Sequence, residues 1–261
     1  MLPLTSGNTR VKESRKLSRR SVRAERRLFL ADGPKAVEGA LALPGCVVEV
    51  YATPAAAEQY AALAAAGPAW TLVDDRALAS LSDSVTPAGV VALCRFVDRP
   101  LAHVLDRAPR LVAICADVRD PGNAGTVVRC ADAAGADAVV FAGQSVDAYN
   151  PKTVRASVGS LFHLPLAVEP DPAAAVRAAQ DAGLTVLAAD GAGEVELYES
   201  DELLARPTAW LFGNEAWGLP PELAELADHR VRIPIHGRAE SLNLSTAAAL
   251  CLYASAREQR R

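Results

Sequence analysis

Apolar and polar positions alternate along the chain in two separate rhythms. Between residues 46 and 96, strand-like runs at 46–51, 69–73 and 89–96 alternate with helix-like stretches at 54–66 and 75–81. From residue 111 onward a second alternation sets in, with strands near 111–116, 137–141, 184–189, 208–212 and 229–235 and helices near 124–134, 172–182 and 242–256. Strands that take turns with helices predict an α/β fold with a mostly parallel sheet covered on both faces. The pattern therefore predicts a small α/β domain at 29–98, a Pro- and charge-bearing linker at 99–109 and a larger α/β domain at 110–261.

Three of the strands in the second domain end in loops rich in turn and cap residues. The 111–116 run leads into D-V-R-D-P-G-N-A-G, where Asp120, Pro121 and Gly122 make a turn and Asn123 can cap the next helix. The 208–212 run ends in G-N-E-A-W-G-L-P-P, in which Gly213 and Gly218 bracket Glu215. The last strand runs into I-P-I-H-G-R-A-E-S-L-N-L-S-T-A, whose Gly237, Ser241 and Asn243 precede an apolar helix. Loops at the carboxyl edge of an open α/β sheet are where ligands bind, because unpaired N–H groups and helix N-termini converge there. Any one of these loops is an ordinary turn, and Ser241 or Asn243 is equally well a plain helix cap.

Taken in order, N-x-G-x-x-x-R (Asn123, Gly125, Arg129), G-x-E-x-x-G-L (Gly213, Glu215, Gly218, Leu219) and I-P-x-x-G-x-x-x-S-L-N-x-S (from Ile233 to Ser245) closely resemble the SpoU/TrmH family of SPOUT RNA methyltransferases. The likeness spans roughly 110 to 255 and includes the run Y-N-P-K-T-V-R-A-S-V-G-S from Tyr149. A looser likeness at 29–41 and 82–90 points to the substrate-binding domain that precedes many such catalytic domains. The resemblance implies a C-terminal trefoil-knotted SPOUT domain that transfers a methyl group from S-adenosylmethionine to a ribose 2′-hydroxyl of RNA. Ribosomal RNA is favoured over tRNA, because the first domain looks like those of rRNA-directed relatives.

For the cofactor it implicates Phe212, Gly213, Asn214 and Gly218 in one loop. In the other it implicates Ile233, Pro234, Ile235, Ser241, Leu242 and Asn243. Arg129 is the expected activator of the hydroxyl, with Asn123 and Glu215 orienting it or the ribose. A guanidinium with a pKa above about 12 is a poor base and a good phosphate clamp, so an RNA phosphate is expected to help take the proton. Without the motif around it, Arg129 would read as an arginine reaching into solvent or pairing structurally with a carboxylate, and Glu215 as a solvated loop acid; the whole motif favours the functional reading of Arg129. The family also implies a homodimer through the C-terminal domain, with the apolar last helix offering a packing face.

Charge sharpens the RNA reading. Residues 1–30 carry nine Lys or Arg against two acids, a balance of +7 that leaves −11 on the remainder. This marks 1–28 as a basic N-terminal arm suited to a polyanion, with Arg19, Arg20 and Arg23 as RNA contacts, although a solvated tail reads the same way. Lys152 and Arg155 are further candidates for RNA phosphates or plain exposed charges. No apolar run approaches the roughly 18 residues of a membrane span, and the N-terminus lacks the apolar block of a signal peptide. The five cysteines are scattered in mostly apolar runs and the four histidines dispersed. Reduced core thiols, no metal site and a cytoplasmic location are the expectation. A dinucleotide fold is disfavoured because G-A-G-E-V-E at 191–196 lacks its third glycine. A non-catalytic RNA-binding protein on the same scaffold is the remaining alternative.

Overall fold

The computed structural model describes residues 2–65 and 67–261. The chain forms two compact units, one built from the residues up to 97 together with 147–163, the other from 98–146 and 164–261.

The first unit opens with helices α1 (Thr9–Arg15) and α2 (Arg20–Arg26), joined by a 3-10 turn at Lys16–Ser18. Strand β1 (Leu28–Asp32), α3 (Pro34–Ala42), β2 (Val47–Ala52), α4 (Pro54–Gln59), α5 (Ala61–Ala65), β3 (Thr71–Leu72), α6 (Asp75–Leu81) and β4 (Val90–Arg95) follow. They make a sheet of order β1-β4-β2-β3, with β4 antiparallel to both neighbours. The helix expected at 54–66 breaks at Tyr60 into α4 and α5, and its last residue, Ala66, lies outside the described residues. β1, which is not among the strands that the pattern predicts, is buried along nearly its whole length.

The expected basic arm is an integral part of this unit. Val11 and Leu17 are buried in a cluster with Tyr51, Val73, Leu78 and Leu93, and Leu4 pairs with the backbone beside Val73. Buried positions at 11, 14 and 17 recur at helical spacing, a signal that the dense charge around them obscures.

The second unit begins with a short helix, α7 (Leu101–Leu105), inside the expected linker, then β5 (Leu111–Ala116), α8 (Pro121–Ala134) and β6 (Ala138–Ala142). Here the chain leaves it. Residues 147–163, with α9 (Pro151–Ala156), pack within the first unit, against β1 and α3. The Tyr149 ring stacks on Phe96 at 3.8 Å between centroids and lies 4.7 Å from Phe29, while its hydroxyl accepts the Val97 N–H at 2.8 Å. The chain then returns through β7 (Leu166–Glu169), α10 (Pro172–Asp181), β8 (Thr185–Ala189), β9 (Val195–Glu196) and α11 (Asp201–Leu204). It ends with β10 (Thr208–Phe212), α12 (Pro221–Ala224), β11 (His229–Arg232) and α13 (Leu244–Glu258).

The seven strands of this unit lie in the order β7-β6-β5-β10-β8-β11-β9, and every pairing is parallel. Two-sided cover by helices explains why β5, β6 and β10 read as unbroken apolar runs and are buried throughout. α13 lies against α8, β10 and β5, and the buried Trp210 indole donates to Ser255 Oγ at 2.9 Å, which fastens it to the sheet.

Candidate functional site

Parallel pairing brings the carboxyl ends of β5, β10, β8 and β11 to one edge, so the loops that follow them converge. The loop after β10 is a closed turn in which Asn214 and Gly218 exchange backbone hydrogen bonds of 2.9 Å. Gly213 is required here: a Cβ would come within 2.4–2.6 Å of the Gly218 and Leu219 backbone. Gly218 adopts φ +71°, where a side chain is strained.

Glu215, at the tip, joins the three loops. Its carboxylate accepts the backbone N–H groups of Arg119 and Asp120, both at 3.0 Å, and the Asn123 side-chain amide at 3.2 Å. The Asn123 carbonyl accepts from the Asn243 amide at 3.0 Å, and the Asn243 carbonyl caps α13 through Ser245 N–H at 2.9 Å. Burial pushes the Glu215 carboxyl up, but the N–H groups of Arg119, its own backbone and Asp120, with the Asn123 amide, outweigh burial and hold it below its ordinary value of 4.5. Beneath it, burial and the Glu215 charge push the Cys115 thiol up to about 12, so that thiol stays protonated.

Beside this chain of hydrogen bonds lies a cleft of about 280 Å³ between the ends of β8, β10 and β11. Phe212, Ile233, Ile235, Leu242, Leu244 and Ala247 give it apolar walls; Gly191, Gly213 and Gly218 bring backbone to its surface; Asp190, Glu215 and Glu240 supply carboxylates. Apolar walls suit a flat heterocycle, bare backbone suits its polar edges, and a negative field suits a sulfonium and an ammonium. The donor set fits S-adenosylmethionine.

The model of the SpoU rRNA Methylase family matches residues 110–253, which contain all three loops, and that of the MRM3-like substrate binding domain matches 8–92. The chain belongs to the SpoU rRNA methylase family. Within it, the chain is 33% identical over 254 residues to the 23S rRNA (guanosine(2553)-2′-O)-methyltransferase RlmP of Bacillus subtilis strain 168, covering 94% of this chain and 95% of that one. Among solved SpoU-type structures it is similar to the AdoMet-bound rRNA methyltransferase of Sinorhizobium meliloti, with TM-score 0.85, 35% identity and coverage of 98% and 97%. It is also similar to AviRb of Streptomyces viridochromogenes in complex with AdoMet, with TM-score 0.84, 30% identity and coverage of 97% and 98%.

Within this SpoU chain, the expected cofactor residues Phe212, Gly213, Gly218, Ile233, Ile235, Ser241 and Leu242 line the cleft. Asn214 lines it too, but is nearly buried with its side chain committed inward, donating to Asp117 O at 2.7 Å and accepting from Ala216 N–H at 2.8 Å. Pro234 and Asn243 are not among the lining residues, and Asn243 instead caps α13. Asn123 is not the cap expected: Asp120 caps α8 and accepts the Asn123 N–H at 2.8 Å, which frees the Asn123 side chain for Glu215.

Arg129 is exposed and outside the cleft lining, and makes no hydrogen bond or ion pair among the described residues. It stands six residues beyond Asn123 on α8, about 9 Å along the axis and roughly 120° around it, so the two share no helix face. Two RNA candidates also need restating. Arg23 is buried, with its guanidinium on Asp147 at 2.6 and 2.9 Å and on the Leu17 and Ser18 carbonyls at 2.8 and 2.9 Å, leaving nothing for a phosphate. Arg155 is ion-paired with Asp83, whereas Lys152 is exposed on α9. Arg19 and Arg20 are exposed as expected.

Ala189, Asp190 and Gly191 at the end of β8 are lining residues that sequence reasoning passed over. Their signal is the strand end followed by D-G-A-G at 190–193, a glycine-rich turn at the same sheet edge as the other loops.

Proposed function

We propose that this SpoU-family RNA 2′-O-ribose methyltransferase holds S-adenosylmethionine in the cleft beside Glu215 and methylates ribosomal RNA at a ribose 2′-hydroxyl. The observation that carries this reading is the hydrogen-bonded series Glu215, Asn123, Asn243, which ties the three motif loops together at the mouth of a cleft of the right chemistry. The cofactor supplies an electrophilic methyl on a sulfonium. The ribose oxygen forms the new bond to that carbon as the carbon–sulfur bond breaks, and the hydroxyl proton must leave.

The protein's part is alignment and charge management. Gly213 and Gly218 hold the cofactor loop in one conformation. Glu215, ionised at neutral pH, fixes the Asn123 amide, and Asn123 presents an ordered polar edge to the incoming ribose. Arg129, permanently cationic, clamps an RNA phosphate and lowers the cost of charge on the ribose oxygen, and that phosphate assists proton removal.

The position of Arg129, exposed and away from its own cleft, supports a homodimer in which the partner's copy completes the site. α13 offers the surface: Ala248 and Leu252 face the protomer core, while Leu250 is half-buried and Tyr253 is 52% exposed. Membership of the SpoU family supports the trefoil knot. No helix among the described residues is long and apolar enough to cross a membrane, and a substrate in the ribosome supports a cytoplasmic location. The test is incubation with labelled S-adenosylmethionine and ribosomal RNA from cells lacking the protein, followed by mass mapping of ribose methylation. One methylated nucleotide in ribosomal RNA is expected. Label in tRNA alone, or none, overturns the reading.

A further inference from the structure

The cations of the N-terminal helices fall into two sets. Arg10 pairs with Glu49, Lys16 and Arg26 share Glu13 at 2.6 and 2.8 Å, and Arg23 is locked on Asp147. These four hold α1 and α2 to each other and to the domain. Lys12, Arg15, Arg19 and Arg20 are exposed and have no hydrogen-bond or ion-pair partner among the described residues.

Stability does not account for the second set. Lys12 and Arg15 stand one helical turn apart near the C-terminus of α1, where the helix dipole tolerates them. Arg19 and Arg20 occupy the cap and first position of α2, where the dipole repels cations and no acidic side chain offsets them. Four like charges within nine residues, two of them at the start of a helix with no acid in its first turn, raise the energy of the fold. An unpaired cationic strip on an ordered helix pair is an electrostatic footprint for a polyanion, and three of its four members are the fork-shaped side chain that matches phosphate.

We infer that the strip formed by Lys12, Arg15, Arg19 and Arg20 is a docking surface for the phosphate backbone of the RNA substrate. It anchors RNA without reading sequence, since phosphate contacts position and do not specify. This rests on the proposed RNA methyltransferase activity. Removing the whole segment is no test, because Leu4, Val11 and Leu17 belong to the packed unit and their loss unfolds it.

The test is Lys12→Gln, Arg15→Gln, Arg19→Gln and Arg20→Gln combined, measured against transcribed large-subunit ribosomal RNA over a salt series. Each lost contact is expected to flatten the log–log salt slope by about 0.7–0.9, and affinity at about 0.1 M salt is expected to fall at least ten-fold. KM for RNA should rise while kcat at saturating RNA and the affinity for S-adenosylmethionine stay unchanged. Arg107→Gln with Arg206→Gln, two exposed charges of the other unit, is expected to change neither slope nor affinity. If the fourfold variant melts early, Arg19→Glu with Arg20→Glu is read in its place. Wild-type slope and affinity in a folded variant overturn the docking surface. Wild-type protein that binds RNA through the strip yet transfers no methyl overturns the activity and leaves the docking surface standing.

Discussion

At the scale of single residues, charge state is set by what surrounds each group. Arg129 makes no hydrogen bond or ion pair among the described residues, which suits the proposed role of a group held for the substrate. If Arg129 serves the hydroxyl and phosphate as proposed, Arg129→Ala is expected to lower kcat by at least about 10²-fold while S-adenosylmethionine affinity stays within a few-fold. Equilibrium cofactor binding beside single-turnover methyl transfer checks both halves.

Asp32 gives the opposite case. Burial raises its carboxyl above the ordinary 3.8, only partly countered by the Ser82 hydroxyl that donates to it at 2.5 Å, with Asp83 adding to the rise and Arg155 opposing it. The folded state therefore binds this proton more tightly than the unfolded chain, and the associated stability is present at low pH and lost as pH rises through the folded value. Asp32→Asn is expected to melt above wild type at about pH 7 and together with it at about pH 3. Thermal scans at the two pH values decide this, and a variant that melts lower at both contradicts it.

Elements were legible where the chain punctuates them. β5, β10, α6 and the three site loops could be read from apolar runs bounded by Gly, Pro and Asx residues, since those signals are local. The hydrogen bonds from Asn123 to Glu215 and from Asn243 to Asn123 were not legible there, because they join residues 92 and 120 positions apart. What escaped reading depends on distant partners. Nothing local tells that Arg23 is buried on Asp147, 124 residues away, or that Tyr149 belongs with Phe29 and Phe96. The attachment of α13 is of the same kind. Ser255→Ala leaves the buried Trp210 N–H without an acceptor, at a cost of about 1–3 kcal/mol, and a lowered melting temperature with unchanged far-UV circular dichroism is the expected result.

For the whole molecule, the proposed completion of the site by a second subunit makes a prediction that no single-chain property can mimic. Arg129→Ala and Gly213→Ala are each expected to be inactive as homodimers, the first lacking the clamp and the second the cofactor turn. Unfolded together and refolded at equal ratio, they should recover roughly a quarter of wild-type activity by random pairing, since one site in each mixed dimer is intact. No recovery, with mixed dimers shown to form, places Arg129 and the cleft of one chain in the same site.

The excursion of residues 147–163 into the first unit has a consequence for biosynthesis. Sixty-six residues separate position 97, where the unit's first segment ends, from position 163, where its last one does. A ribosome adding about 5–20 residues per second needs roughly 3–13 s for that stretch. Until then the nascent substrate domain lacks Tyr149 against Phe96 and the Asp147 carboxylate for Arg23, and the arginine is left with a buried, uncompensated charge. The N-terminal domain therefore cannot finish folding when residue 97 has been made, and its maturation waits for the synthesis of β5, α8 and β6 of the catalytic domain.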